Sequence, residues 1–142
     1  MKAELLIDNS AWARLWDPSL PTTRADEIAD DFDAGRLAVS LPFLLEAGFS
    51  ARSARHHAEI NDDLDALEPV PIDADVELRA RTAQQQLARA GHHRMPPSDL
   101  ILAAIADRHG LGILHYDNDF EVLLEKTDLE FGSVWLMPRG SL

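Results

Sequence analysis

Short apolar runs alternate with longer segments of helical periodicity along this chain. Each run is three to five residues long and is bounded by polar, glycine or proline residues, which is typical of buried strands. Proline resists helix, so a further brief extended segment is predicted at residues 69–72. The four remaining strand predictions are residues 4–8, 37–40, 112–115 and 133–137.

Helical periodicity fills the intervening segments. The regular apolar stripe in residues 73–90 predicts one amphipathic helix, which Asp73 can cap and Gly91 can end. Residues 100–106 are apolar on nearly every side, which predicts a central helix that begins at Pro97 or Ser98. The other helix predictions are residues 9–16, 22–33 with a cap at Thr23, 119–126, and a long segment from Pro42 with a break near residues 55–57.

Strands that alternate with helices predict an α/β sandwich with a mainly parallel central sheet. A length of 142 residues with 46% hydrophobic positions fits a single domain over residues 1–142. The chain has no cysteine, which excludes disulfides and thiolate metal sites. No apolar stretch is long enough for a membrane span, and the N-terminus lacks the form of a signal peptide, so we expect a cytoplasmic protein.

Acidic residues stand where apolar segments end or helices begin. Ligands of parallel α/β sheets usually bind beyond the carboxyl ends of the strands, and a buried carboxylate is costly unless a cation or hydrogen-bond donors compensate it. Each acid also has an ordinary interpretation as a helix cap, a turn residue or an exposed side chain. Their joint placement favours a site for a hard divalent cation such as Mg2+. The residues concerned are Asp8, Glu46, Asp99, Asp117 and Asp119.

The net charge of −12 argues against a phosphate-rich partner. A bound cation would neutralise part of that charge, and the basic residues are locally clustered. A cationic lip of this kind can guide a nucleic acid, although the same residues can equally be solvated helix faces. The clusters are Arg52, Arg55, His56 and His57; Arg79 and Arg81; and Arg89, His92, His93 and Arg94.

Four segments, in this order and spacing, resemble the PIN-domain ribonucleases and most closely the toxins of VapBC toxin-antitoxin pairs. They are residues 6–12 (LIDNSAW), 44–48 (LLEAG), 97–106 (PSDLILAAIA) and 114–120 (LHYDNDF). The resemblance spans almost the whole chain. It implies a PIN-like α/β/α sandwich.

The resemblance also implies the ligand set of the metal site. Asp8, Glu46, Asp99 and Asp117 would hold Mg2+ or Mn2+ and form the catalytic centre, with Asp119 as an additional or water-bridged ligand. Ser10 would orient a ligand or a bound water. Two residues around the ligands depart from the family pattern: Asn9 replaces a common threonine, and His115 replaces a common hydroxyl residue and introduces a titratable group.

The implied activity is metal-dependent endoribonuclease action as the toxin of a type II toxin-antitoxin system. Water activated at the metal would hydrolyse an RNA phosphodiester and leave 5′ phosphate and 3′ hydroxyl ends. The implied substrate is RNA, with transfer and ribosomal RNA as the candidate classes. The implied partners are a second copy of the chain and a VapB-type antitoxin, for which the Trp12/Trp16 face, Phe43 and Phe49 offer apolar contacts.

Two other functions stay open from the sequence. An aspartyl-phosphate phosphatase would require a second acid two residues after Asp8, where Ser10 stands, and Lys2 and Lys126 are poorly placed for it. A non-catalytic PIN-like interaction module would keep the scaffold without turnover, and the intact acidic residues argue against it. The histidine pairs 56–57 and 92–93 do not form a convergent site, because adjacent helical residues point about 100° apart.

Overall fold

The computed structural model describes residues 2–92 and 94–142, and it has twelve helices and strands within them. The predicted alternation of strands and helices is confirmed. The strands are β1 (Leu5–Ile7), β2 (Leu37–Val39), β3 (Glu68–Pro69), β4 (Gly112–His115) and β5 (Gly132–Trp135). The helices are α1 (Asn9–Trp12), α2 (Thr22–Asp33), α3 (Leu41–Phe49), α4 (Ala54–Leu64), α5 (Ala74–Arg89), α6 (Pro97–His109) and α7 (Asp119–Lys126).

The five strands form one parallel sheet in the order β3-β2-β1-β4-β5. Strand β1 lies at the centre, with Leu6 beside Ala38 of β2 and beside Ile113 of β4. All strands therefore end at the same edge of the sheet. The α/β/α class predicted from the sequence is confirmed.

Successive residues of each strand face opposite layers, so the sheet separates two apolar cores. One core packs Leu6 and Ile113 against α5, α6 and α7. The other packs Ile7 and Leu114 against α1, α2, α3 and α4. Because β1 and β4 are covered on both faces, they require the continuous apolar runs that the sequence shows.

The structure corrects several local predictions. Helix α1 stops at Trp12, because the following turns are closed by bonds such as that from the Leu15 N–H to the Trp12 carbonyl. The break in the long helical segment falls at residues 50–53, because Ser53 caps α4 and accepts the His56 N–H. Helix α2 follows Pro21 with no side-chain cap, so the cap predicted at Thr23 is wrong.

Strand β3 begins earlier and is shorter than the predicted extended segment. Phe43, which the sequence suggested as a partner contact, lies in the core at 2% exposure. Phe43 is therefore unavailable to a partner. Within the described residues, none of the helices combines the length and apolar composition that a membrane span needs. The carboxyl ends of β1 and β4 remain adjacent, and the acidic residues converge just beyond them.

Candidate metal centre

Asp8 is the first residue after the central strand β1, and it is only 7% exposed. Its Oδ2 accepts the backbone N–H of Ser10 at 3.0 Å and the Ser10 hydroxyl at 2.5 Å, so it caps the start of α1. Burial raises the pKa of Asp8 despite these hydrogen bonds, and the nearby charges of Glu46 and Asp117 raise it further. The carboxylate is held in place, but its charge is not balanced.

Asp99 occupies the first turn of α6, two residues after Pro97, and it is also 7% exposed. Burial is the main cause that raises the pKa of Asp99 to about 8, followed by the charges of Asp8 and Asp117. A hydrogen bond with the Asp119 side chain acts in the same direction. Without a cation, Asp99 therefore holds a proton near neutral pH, even though the helix dipole favours a negative charge at this position.

Asp117 lies in the turn between β4 and α7, and Asp119 is the first residue of α7. The Asp119 N–H donates to Asp117 Oδ1 at 2.9 Å, which closes the turn. Carboxylate oxygens of Asp99, Asp117 and Asp119 all lie within 4.8 Å of one another. Burial is also the main cause that raises the pKa of Asp119, and the charge of Asp117 adds to it.

Glu46 reaches the site from α3, which packs against α6. The side chain is half-buried, and it is close enough to Asp8 for its charge to raise the pKa of that residue. It lies outside the tight group formed by Asp99, Asp117 and Asp119. The structure thus brings all five predicted acids to one edge of the sheet, with Asp8 near Asp99 and Asp117, and Glu46 near Asp8.

The charge balance of this cluster fits a divalent cation. Across residues 2–92 and 94–142, no lysine, arginine or histidine forms an ion pair with any of the five acids. Asp8 and Asp99 are nevertheless more than nine-tenths buried. A set of oxygen donors with excess negative charge suits Mg2+ or a similar hard ion, and it does not suit a soft one.

Ser10 joins the ends of the two central strands. Its hydroxyl donates to Asp8 and accepts the Tyr116 N–H at 2.8 Å. Asn9 is half-buried as the first residue of α1. Ser10 therefore fixes Asp8 relative to the 116–119 turn.

His115 is completely buried as the last residue of β4. Its Nδ1 accepts the Asp117 N–H at 3.1 Å, and its Nε2 lies 2.8 Å from the Ser133 Oγ. Burial is the main cause that lowers the pKa of His115 to about 4. The titratable group suggested by the sequence therefore stays neutral at physiological pH.

Sequence reasoning missed Ser133, Glu121 and Trp135, which surround His115. Ser133 donates to Glu121 Oε1, and the Trp135 indole donates to the same oxygen at 3.0 Å. They come from β5 and α7, and no sequence pattern links these elements to the acidic residues. The available signal was His115 itself, since a buried histidine requires hydrogen-bond partners.

The histidine pairs and basic clusters have separate environments. His56 accepts the Arg52 N–H and His57 contacts Asn61, both at the start of α4. His93 lies outside the described residues, so the 92–93 pair is not described as a pair. His92 and Arg94 line a depression of about 440 Å³ that also contacts Asp119.

Comparison with known proteins places this architecture in a defined class. A family model described as PIN domain matches residues 5–125. Ribonuclease VapC18 of Mycobacterium tuberculosis is 30% identical over 139 residues, covering 96% of this chain and 97% of the relative. Ribonuclease VapC21 of the same species is 38% identical over 123 residues, covering 85% of this chain and 86% of the relative.

A solved structure described as DNA-bound VapBC from Salmonella typhimurium shares the fold. Its TM-score is 0.74 at 18% identity, with 95% of this chain and 99% of that chain covered. The chain belongs to the PIN-domain family and, within it, to the VapC group. The resemblance drawn from the four sequence motifs is confirmed, and the phosphatase alternative has no support.

Proposed function

We propose that this chain is the toxin of a type II toxin-antitoxin system and acts as a metal-dependent endoribonuclease. The observation that carries the proposal is the cluster of carboxylates without a basic partner, two of them deeply buried, in a chain whose relatives are named ribonucleases. Residues 1–142 would form a single PIN-like domain, and its place of action would be the cytoplasm. RNA and a newly made protein partner are both present in that compartment.

Asp8, Glu46, Asp99 and Asp117 would be the catalytic ligands of Mg2+ or Mn2+, with Asp119 as an additional or water-bridged ligand. Mg2+ is the better match, because it prefers carboxylate oxygens and keeps several waters. When bound, the cation would acidify a water and stabilise the negative charge that develops at the scissile phosphate. The bound cation would favour the ionised form of Asp99, whose pKa burial otherwise raises to about 8.

The chain's own residues would hold and orient these groups. Ser10 keeps Asp8 in one rotamer through two hydrogen bonds, and Asn9 begins the helix that Asp8 caps. The Asp119 N–H fixes Asp117 Oδ1. Such preorganisation supports phosphoryl transfer, because the ligands need little rearrangement when charge develops.

RNA would approach past the depression lined by His92, Arg94 and Asp119. This is the part of the predicted cationic lip that borders the acidic cluster. Arg79 cannot contribute to it, since it is paired with Asp75 and Asp107. Transfer and ribosomal RNAs are the substrate classes to test, because folded RNAs present the exposed loops that proteins read most readily.

A VapB-type antitoxin would dock in the apolar groove beside α1, α2 and α4, which has a volume of about 490 Å³. Trp12 and Ile28 line the groove. Trp16 packs on Trp12 with ring centroids 4.9 Å apart, and it is 68% exposed. Asp33, Asp62 and Asp63 also line it. These charges favour a segment that combines apolar anchors with lysine or arginine.

A second copy of the chain would pack on the exposed apolar residues of α3. Phe49 is 92% exposed, and Leu41 and Leu45 are more than half exposed. Monomeric proteins rarely leave several large apolar side chains of one short helix in water. Sedimentation of the purified chain tests this part of the proposal separately from activity.

The test of activity is RNA cleavage by the antitoxin-free chain with transfer and ribosomal RNAs in Mg2+ or Mn2+. Chelator and Asp99→Asn should abolish cleavage, whereas Asp26→Asn should not, because Asp26 is an exposed acid of α2. We expect discrete cuts with 5′ phosphate ends. Cleavage that persists in both chelator and Asp99→Asn would contradict the mechanism, and metal binding without any cleavage would favour the non-catalytic module.

A further inference from the structure

A continuous chain of hydrogen bonds runs from Glu121 on α7 to the backbone of the acidic turn. Glu121 Oε1 accepts the Ser133 hydroxyl, and Ser133 Oγ lies 2.8 Å from His115 Nε2. On the other side of the imidazole ring, Nδ1 accepts the Asp117 N–H at 3.1 Å. These hydrogen bonds therefore connect α7, β5 and β4 to the two acids that follow β4.

These contacts define one tautomer of His115. Because Nδ1 accepts a backbone N–H, it carries a lone pair, and the proton of the neutral ring must lie on Nε2. That proton is donated to Ser133, whose own proton is then directed to the Glu121 carboxylate. Each donor in this series of hydrogen bonds thus meets one acceptor, which satisfies the polar atoms around the buried His115 ring.

Packing leaves the imidazole ring little freedom. His115 is buried between Phe120 and Trp135, with ring centroids 4.8 and 4.7 Å away. The Trp135 indole also donates to Glu121 Oε1. Glu121 Oε1 therefore accepts two donors from β5, the Ser133 hydroxyl and the Trp135 indole N–H.

We propose that Glu121 and Ser133 are positioning residues of the metal centre, which act through His115 on the Asp117 backbone. By holding the Asp117 N–H, His115 fixes the start of the turn in which Asp117 accepts the Asp119 N–H. Both carboxylates are thereby presented towards Asp99. The inference rests on the proposed function only in treating these acids as cation ligands.

The alternative is that the network only stabilises the fold. In that case, loss of a member would lower the free energy of unfolding and leave the metal affinity of the folded chain unchanged. A positioning role instead predicts weaker metal binding, because partners behind metal ligands commonly alter affinity by ~10-fold to ~100-fold. Metal affinity of the folded chain therefore separates the two roles.

The test compares Ser133→Ala, which removes the hydroxyl, with Ser133→Thr, which keeps it on a residue suited to a strand. Ser141→Ala is the matched control, since this hydroxyl is exposed and donates to the nearby Pro138 carbonyl. The measurements are the Kd for Mn2+ by calorimetry and the ring nitrogen signals of His115 by NMR. Glu121→Gln, which keeps the shape but removes the charge, provides a second test if Ser133→Ala does not fold.

We expect Ser133→Ala to raise the Kd for Mn2+ by about tenfold, and Ser133→Thr to restore the wild-type value. The NMR signals should show Nε2 protonated in the wild type and in Ser133→Thr. A Kd that is unchanged in Ser133→Ala, or one that Ser133→Thr fails to restore, would overturn the inference. Glu121→Gln should also raise the Kd for Mn2+, and an unchanged Kd in this variant would likewise overturn the inference.

The result is separable from the proposed activity. If the wild type binds Mn2+ but cuts no RNA, the ribonuclease proposal fails, while the effect of Ser133 on the Kd still tests the positioning role. If the wild type cuts RNA and Ser133→Ala retains the full Mn2+ affinity, only the positioning role fails.

Discussion

Asp99→Asn should stabilise the metal-free protein, although it removes a residue of the proposed active site. At pH 7 the folded chain holds a proton on Asp99, whose pKa is about 8, whereas the unfolded chain, with an ordinary value of 3.8, does not. The sign follows from linkage: a pKa raised in the folded state makes folding less favourable as the pH rises from about 4 to about 8. Asparagine has nearly the same size and does not ionise, so its burial does not make folding less favourable as the pH rises.

The size of the effect can be estimated from the same pKa. Neutral pH lies about three pH units above 3.8, and each unit corresponds to about 1.4 kcal/mol, so the penalty at pH 7 is at most about 4 kcal/mol. Asp99 is more than nine-tenths buried, so solvent does little to reduce it. The difference between variant and wild type should vanish near pH 4 and level off above pH 8.

Urea denaturation in chelator, at pH values from 4 to 8, measures this directly for the wild type and for Asp99→Asn. Asp26→Asn is the control, since its exposed carboxylate should give a free energy of unfolding close to the wild-type value at every pH. Addition of Mg2+ should stabilise the wild type and have little effect on Asp99→Asn. An Asp99→Asn variant that is less stable than the wild type in chelator at pH 7 would refute the inference that the charge of Asp99 is unbalanced in the metal-free protein.

Three further predictions concern the metal site, the ion pairs between α5 and α6, and the apolar groove. The Mg2+ affinity should rise about tenfold per pH unit between pH 6 and 8, because the cation displaces the proton of Asp99. Calorimetry in two buffers measures the released proton, and an affinity that does not change with pH would contradict this prediction. Arg79→Met should lower the free energy of unfolding in urea denaturation and leave the Mg2+ affinity unchanged, since this partly exposed arginine joins Asp75 of α5 to Asp107 of α6. No loss of stability would show that these ion pairs contribute little. Trp16→Ala should weaken antitoxin binding at least tenfold by calorimetry, with RNA cleavage intact, and unchanged affinity would place the antitoxin elsewhere.

The layered fold and the convergence of the acids could be predicted from sequence because both depend on local patterns. Short apolar runs identified β1 and β4, and parallel strands necessarily end at one edge. Asp8 directly follows the first run and Asp117 follows the second run after a short turn, so their proximity could be predicted without knowledge of packing. The direction of Glu46 depends instead on how α3 packs against α6, which no local pattern specifies.

The features that sequence could not predict depend on tertiary contacts. Ser133 meets His115 because β5 pairs with β4, and the register that places them together is absent from either segment alone. The burial of Phe43 similarly depends on the apolar layer formed around α3. The end of α1 is set by local turns that an apolar pattern does not distinguish from a continuing helix.

The most direct test of the metal centre is anomalous diffraction from a crystal of this chain soaked in Mn2+. We expect an Mn2+ peak in contact with carboxylate oxygens of Asp99, Asp117 and Asp119, on the side of this cluster where Asp8 lies. The peak should be absent from Asp99→Asn crystals soaked in the same way. Mn2+ bound only at other sites in wild-type crystals, with these carboxylates accessible to solvent in the lattice, would contradict the account.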